Sequence, residues 1–156
     1  MSKIEYNPEM DDEIRSFLVQ WFSGLLEGIE KVNNETWPLI LEMTGRACAK
    51  VHSTDLFKKI WAISDDIDDF INKINKELDT ITFKRNSKNE ISVHYSKCSC
   101  PLVLYGLVNS PIMCNCSPNW IIENFETILN IPISVKTEQT ILRGAKSCKF
   151  TISLNE

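Results

Sequence analysis

Glycine is scarce in this chain, five residues in 156, and no glycine-rich run of the kind that cradles a phosphate is present. Nucleotide-binding loops are thereby excluded. A nucleophile elbow and a His-Glu-x-x-His helix are missing as well. No apolar stretch approaches the roughly 18 to 20 residues that a membrane span requires. Basic excess is also lacking. Net charge is −4, and residues 1 to 79 carry 16 acidic against 9 basic side chains. Nucleic acid is therefore not an expected partner. Residues 80 to 156 carry 5 acidic and 8 basic side chains, scattered enough to read as ordinary surface. Met1 to Glu13 is acidic, without a basic n-region or an apolar run, so a soluble, cytoplasmic protein is expected.

What the chain does have is six cysteines, four of them in two Cys-x-Cys pairs, Cys98-Ser99-Cys100 and Cys114-Asn115-Cys116, 13 residues apart. In a reducing compartment clustered thiols are more often ligands or catalysts than disulfides. Residues i and i+2 of an extended segment project to one side, so each pair can offer two sulfurs to one centre. Four thiolates complete a tetrahedral zinc shell, which makes Cys98, Cys100, Cys114 and Cys116 the candidate metal ligands. Reversible thiol redox chemistry and an iron-sulfur cluster remain alternatives for the same residues. The N-terminal dipole of a following helix would favour thiolate at Cys114 and Cys116 under either reading.

Apolar periodicity changes near Asp79. Before it the spacing is helical, and Asn7-Pro8-Glu9 has the form of a helix start. Ile14, Phe17, Leu18, Trp21, Leu25, Ile29 and Val32 form the expected buried stripe of a first helix. A second helix is expected from Thr36 and Pro38, with Ile40, Leu41, Ala47, Cys48 and Val51 inward and Glu42 paired with Arg46 outside. Leu56, Ile60, Trp61 and Ile63 mark a third. Ser64-Asp65-Asp66 caps a fourth, carrying Ile67, Phe70, Ile71, Ile74 and Leu78. After Asp79 the pattern alternates. Ile81 and Phe83, then Ile91, Val93 and Tyr95, make a hairpin with one core-facing side. Leu102 to Val108 form a connection of undecided type, and a helix starts at Ser117-Pro118 and runs to about Leu129. Ile133, Val135 and Thr137 form a third strand, and Cys148, Phe150 and Ile152 line a closing one. The prediction is a single α+β domain over residues 1 to 156. Its N-terminal helices (1 to 79) pack on a C-terminal antiparallel sheet (80 to 156) with one inserted helix.

The tail from Ile133 through Gly144 to Cys148-Lys-Phe150 resembles the end of the vinyl-4-reductase small-molecule-binding domain and that of the L-2-amino-thiazoline-4-carboxylate hydrolase family. Gly45-Arg46-x-Cys48-Ala49 and the Cys-x-Cys pairs resemble a cysteine-rich uncharacterised bacterial and archaeal family related to both. The resemblance implies helices on an antiparallel sheet with a small-molecule pocket between them, in relatives some of which bind metal through cysteine. It matches Cys148 to the shared tail and Cys48 to the narrower group, as additional thiols or ligands. It carries the alternative of a thiazoline-opening hydrolase, whose catalytic residues are not placed by the match.

Cys48 and His52 also form an i, i+4 pair that can chelate, against which stands packing of Cys48 and a surface position for His52. His94 is expected to face solvent. Trp37, Trp61, Tyr105 and Phe150 are the candidate walls of a ligand pocket between the second helix and the sheet. The run Asp65, Asp66, Asp68, Asp69 lacks the glycine and terminal glutamate of a calcium loop. The expected function is a small-molecule-binding or sensing module with a cysteine-bound zinc, its partner a small-molecule ligand. A homodimer is left open.

Overall fold

The computed structural model describes residues 10 to 32 and 35 to 155. The helix start expected at Asn7-Pro8-Glu9 lies outside the described residues. Helix α1 (Asp12–Lys31) is instead capped by Asp11, whose carboxylate accepts from the backbone N–H of Glu13 and Ile14. There follow α2 (Trp37–His52), α3 (Thr54–Ala62) and α4 (Ile67–Glu77), the last capped by Asp66 as its sequence announces. Strands β1 (Ile81–Ser87) and β2 (Glu90–Tyr95) form the hairpin. A short α5 (Pro101–Leu104) and a 3-10 turn over Pro111–Asn115 lead into α6 (Cys116–Leu129). Strands β3 (Ile133–Gln139) and β4 (Cys148–Leu154) close the chain, joined through a 3-10 turn at Ile141–Arg143. The architecture is α+β.

The sheet is antiparallel throughout, in the order β1-β2-β4-β3. Alternation places Ile81, Phe83, Ile91, Val93, Tyr95, Cys148, Phe150 and Ile152 on the buried face, while His94 is exposed opposite Lys149. Helices α3, α4 and α6 cover that buried face. Phe57 of α3 sits at its centre, fully buried, with ring centroids 5.6 to 6.0 Å from Phe70, Phe83, Trp120 and Phe125. The sequence pattern had placed Leu56 and Ile63 there; Leu56 is only half-buried and Ile63 is exposed. At the β1 edge the Asn75 amide satisfies both the N–H and the C=O of Phe83, each at 2.8 Å, which docks α4 on the edge strand.

Helix α1 corrects the expected stripe. Leu26 and Ile29 are buried against Leu107 and Val108, with Leu18 and Phe22 packed beside them. Ile14, Phe17, Trp21, Leu25 and Val32 are exposed, Phe17 at 65%. Two helical-period stripes share one helix, so periodicity identified the helix without selecting its buried side. In α2 the inward residues are Leu41, Gly45 and Ala49, whereas Ile40, Ala47 and Val51 face out.

Candidate functional site

Strands β2 and β4 pair Tyr95 with Cys148 at one end of the sheet. The chain leaves β2 there and passes through Cys98 and Cys100 before Pro101 starts α5. It returns through the Pro111–Asn115 turn, which buries Cys114 directly ahead of α6. Cys98, Cys100, Cys114 and Cys148 thus line one cavity of about 30 Å³, with Tyr95 and Ile141 among its walls. That volume suits one water or one ion, and is far below the roughly 300 Å³ at which small-molecule pockets begin. A latch holds the two turns together: Arg143 donates to Asn115 Oδ1 at 2.9 Å.

The two remaining cysteines stand where α2 crosses α6. A Cβ on Gly45 would lie 2.4 Å from the Cys116 carbonyl oxygen and 2.8 Å from Asn119 Cβ, so only glycine permits this approach. Arg46 fastens the crossing, donating to Glu123 and Glu126 at 3.0 Å each and to Glu42 at 3.3 Å. The pair with Glu42 forms as expected, but at the interface between helices and not on an outer face. Thr44 Oγ1 is 3.4 Å from Cys116 Sγ, and Cys48 lies one turn further along α2. The Gly45-Arg46-x-Cys48 segment therefore has a physical meaning: close approach, ionic clamp and a half-buried thiol. His52, at the end of α2, is exposed.

All six cysteines are free thiols. Burial pushes the Cys98 thiol up to about 11, with neighbouring Cys100, Cys148 and Cys114 adding to the effect. Cys48, Cys116 and Cys148 are raised too, by burial first and by other cysteines second. For Cys116 the Thr44 hydroxyl pulls the other way without overcoming burial. Cys98 and Cys100 line the cavity together, whereas the second Cys-x-Cys pair is divided: Cys114 lines the cavity and Cys116 does not. Residues 114 to 116 are helical rather than extended, and in a helix i and i+2 diverge. Backbone donors already serve two sulfurs: Cys100 N–H reaches Cys98, and Ile141 N–H reaches Cys148 at 3.3 Å. Among the described residues no three His, Cys, Asp or Glu side chains stand at the spacing that holds a metal ion.

The expected pocket walls do not come together. Phe150 is buried in the main core, and Trp61 packs on Phe70 at its margin. Trp37 and Tyr105 belong to the smaller cluster around Leu26, Ile29, Leu107 and Val108. Beside that cluster a groove of about 310 Å³ runs between α1 and residues 107 to 110, lined by Leu26, Glu27, Glu30, Leu107 and Val108. Nothing in the sequence marked it, because its floor is made by residues 81 positions apart. Residues 98 to 116 therefore serve both features, their ends lining the cysteine cavity and their middle lining the groove.

No family model and no curated protein matches the sequence. Solved structures share the fold at low identity. A trafficking protein particle complex subunit 3 from Naegleria fowleri, covalently bound to palmitic acid, superposes with a TM-score of 0.55 at 15% identity, over 94% of this chain and 98% of that one. The phenol-responsive sensory domain of the transcription activator PoxR with phenol gives 0.56 at 10% identity, over 88% and 74%. An H-NOX domain from Shewanella oneidensis in its Fe(II)CO ligation state gives 0.51 at 17%, over 96% and 78%. The shared feature is the α+β fold, and no helix among the described residues is long and apolar enough to cross a membrane.

Proposed function

We propose that this chain is a small-molecule-binding or sensing module in which a cysteine-bound soft metal ion, zinc in the first instance, fixes the segment that forms the ligand groove. The observation that carries the reading is the double duty of residues 98 to 116. Cys98, Cys100 and Cys114 near its ends line the ion-sized cavity with Cys148, and Leu107 and Val108 in its middle line the larger groove. A bound ion replaces the protons of these buried thiols and ties both ends of the segment to β4, so metal binding contributes folding energy there. The fold of a phenol-responsive sensory domain supports the small-molecule part.

Anaerobic purification followed by elemental analysis tests the metal part directly. Zinc is expected in the protein and lost in Cys98→Ser and in Cys148→Ser. Amide exchange over residues 98 to 116 should quicken when a chelator strips the metal. Protein that neither retains nor takes up a thiophilic metal, or whose exchange in this segment ignores it, would refute the reading.

A further inference from the structure

Helix α1 has three faces where a surface helix needs two. Leu18, Phe22, Leu26 and Ile29 turn toward the molecule, and Asp12, Ser16, Glu27 and Glu30 toward solvent. The third face consists of Ile14, Phe17, Trp21, Gly24, Leu25 and Gly28, all exposed and none charged. A continuous apolar face of this length marks a contact site. Its glycines say of what kind. Each costs an exposed helix about 1 kcal/mol relative to alanine, yet a Cβ on either would meet nothing within 4 Å among the described residues. At Gly45 the same chain shows what a helical glycine achieves, which is the close approach of a second helix.

We propose that α1 pairs antiparallel with α1 of a second copy of this chain, about a two-fold axis at the level of residues 22 and 23. In that register Phe17 stands opposite the partner's Gly28 and Trp21 opposite the partner's Gly24, and the symmetry repeats both contacts with the roles exchanged. Bulky positions meet bare ones, so the face is its own complement. Glu13 and Lys31 lie about five turns apart on one exposed flank of α1, and antiparallel pairing brings them level with each other, opposite charge to opposite charge.

The area is sufficient. From their exposures, Ile14, Phe17, Trp21 and Leu25 offer roughly 500 Å² per copy, and joining two such faces removes about 1,000 Å² from water, the size at which specific interfaces begin. An anionic membrane is a poorer occupant, since Asp12, Glu13, Glu27 and Glu30 outnumber Arg15 and Lys31 along the helix. Leu26, Glu27 and Glu30, which line the groove, lie on the other faces of α1, so pairing leaves the groove open and is independent of the metal reading.

Sedimentation equilibrium of the whole chain is the test. Mean mass should rise with concentration from 17.9 kDa toward twice that value. Phe17→Ser and Trp21→Ser should each raise the dissociation constant about tenfold or more. Gly28→Leu is the discriminating variant, because it adds apolar surface and helix propensity but fills the space that the partner's Phe17 needs; association should weaken about tenfold here too. Circular dichroism confirms that each variant is folded. Glu13→Lys should weaken pairing and the double change Glu13→Lys with Lys31→Glu should restore it, a rescue that parallel helices would not give. A chain still monomeric at about 200 µM overturns the proposal. So does association that ignores Phe17→Ser, that Gly28→Leu strengthens, or that the double change fails to restore. Binding of a monomeric chain to phosphatidylcholine vesicles overturns it in favour of a lipid surface.

Discussion

Cys98 is the residue at which burial and chemistry oppose each other most directly. With its thiol pushed up to about 11 it holds its proton at neutral pH, which makes it a poor nucleophile and a good site for a cation to displace hydrogen. In stripped protein, iodoacetamide should modify Cys98 at pH 8 about 100-fold more slowly than an unperturbed thiol, a ratio set by the difference between about 11 and the ordinary value of 9.0. Peptide mass spectrometry reads this rate; modification at the speed of a free thiol would contradict the burial argument. The same proton sets a pH dependence. The folded value lies above the unfolded one, so the stabilisation is complete below pH 9 and is lost as pH rises through about 11. Stripped protein should therefore melt at falling temperature across that window, and zinc-loaded protein, whose thiolates have already released their protons, should not follow it. At this scale the sequence singled out the cysteines as the notable residues but gave no account of which of them share a cavity. Spacing in the chain cannot show that Cys114 is buried in a 3-10 turn while Cys116 opens a helix.

Among the elements, α2 and α6 are the pair whose close crossing sets Thr44 beside Cys116. Gly45→Ala gains about 1 kcal/mol of helix propensity, yet it drives a methyl into the Cys116 carbonyl, a clash of the kind that costs about 1 to 3 kcal/mol. Net destabilisation with weakened metal retention is expected, measured by thermal melting and by metal content after dialysis. A variant as stable and as metal-rich as the parent would show that the crossing has room. Helix α1 supplies the contrasting case. Phe17→Ser and Trp21→Ser should each change stability by no more than about 0.5 kcal/mol in urea denaturation of dilute protein, because both side chains are exposed. Large losses would show that these residues are covered. The sequence located α1 and placed Leu18 and Ile29 inward correctly, but drew the rest of its stripe from the exposed side, since Ile14, Phe17, Trp21 and Leu25 make as regular a stripe as Leu18, Phe22, Leu26 and Ile29. In the strands no such ambiguity arises. A period of two offers only two faces, and Phe83, Val93 and Phe150 were assigned to the buried one from alternation alone.

For the molecule as a whole, stability should concentrate where the helices meet the sheet. Phe57→Ala removes a ring that contacts four other aromatic rings, and a loss of about 3 to 5 kcal/mol is expected from chemical denaturation. A loss below 1 kcal/mol would mean that the cluster repacks around the gap. The sequence by itself determined the α+β class, the switch from helical to alternating pattern near Asp79 and the strand faces, because each is a local property of periodicity. The tertiary structure decided which side of α1 and α2 is buried, that Phe57 is central, and that Trp37 and Tyr105 lie apart from Trp61 and Phe150. It also decided that Cys148 lines one cavity with Cys98, Cys100 and Cys114 at one end of the sheet. Those facts depend on α6 laying its N-terminus against Gly45 and on β4 pairing beside β2. Such contacts join segments distant in the chain, and no local pattern encodes them.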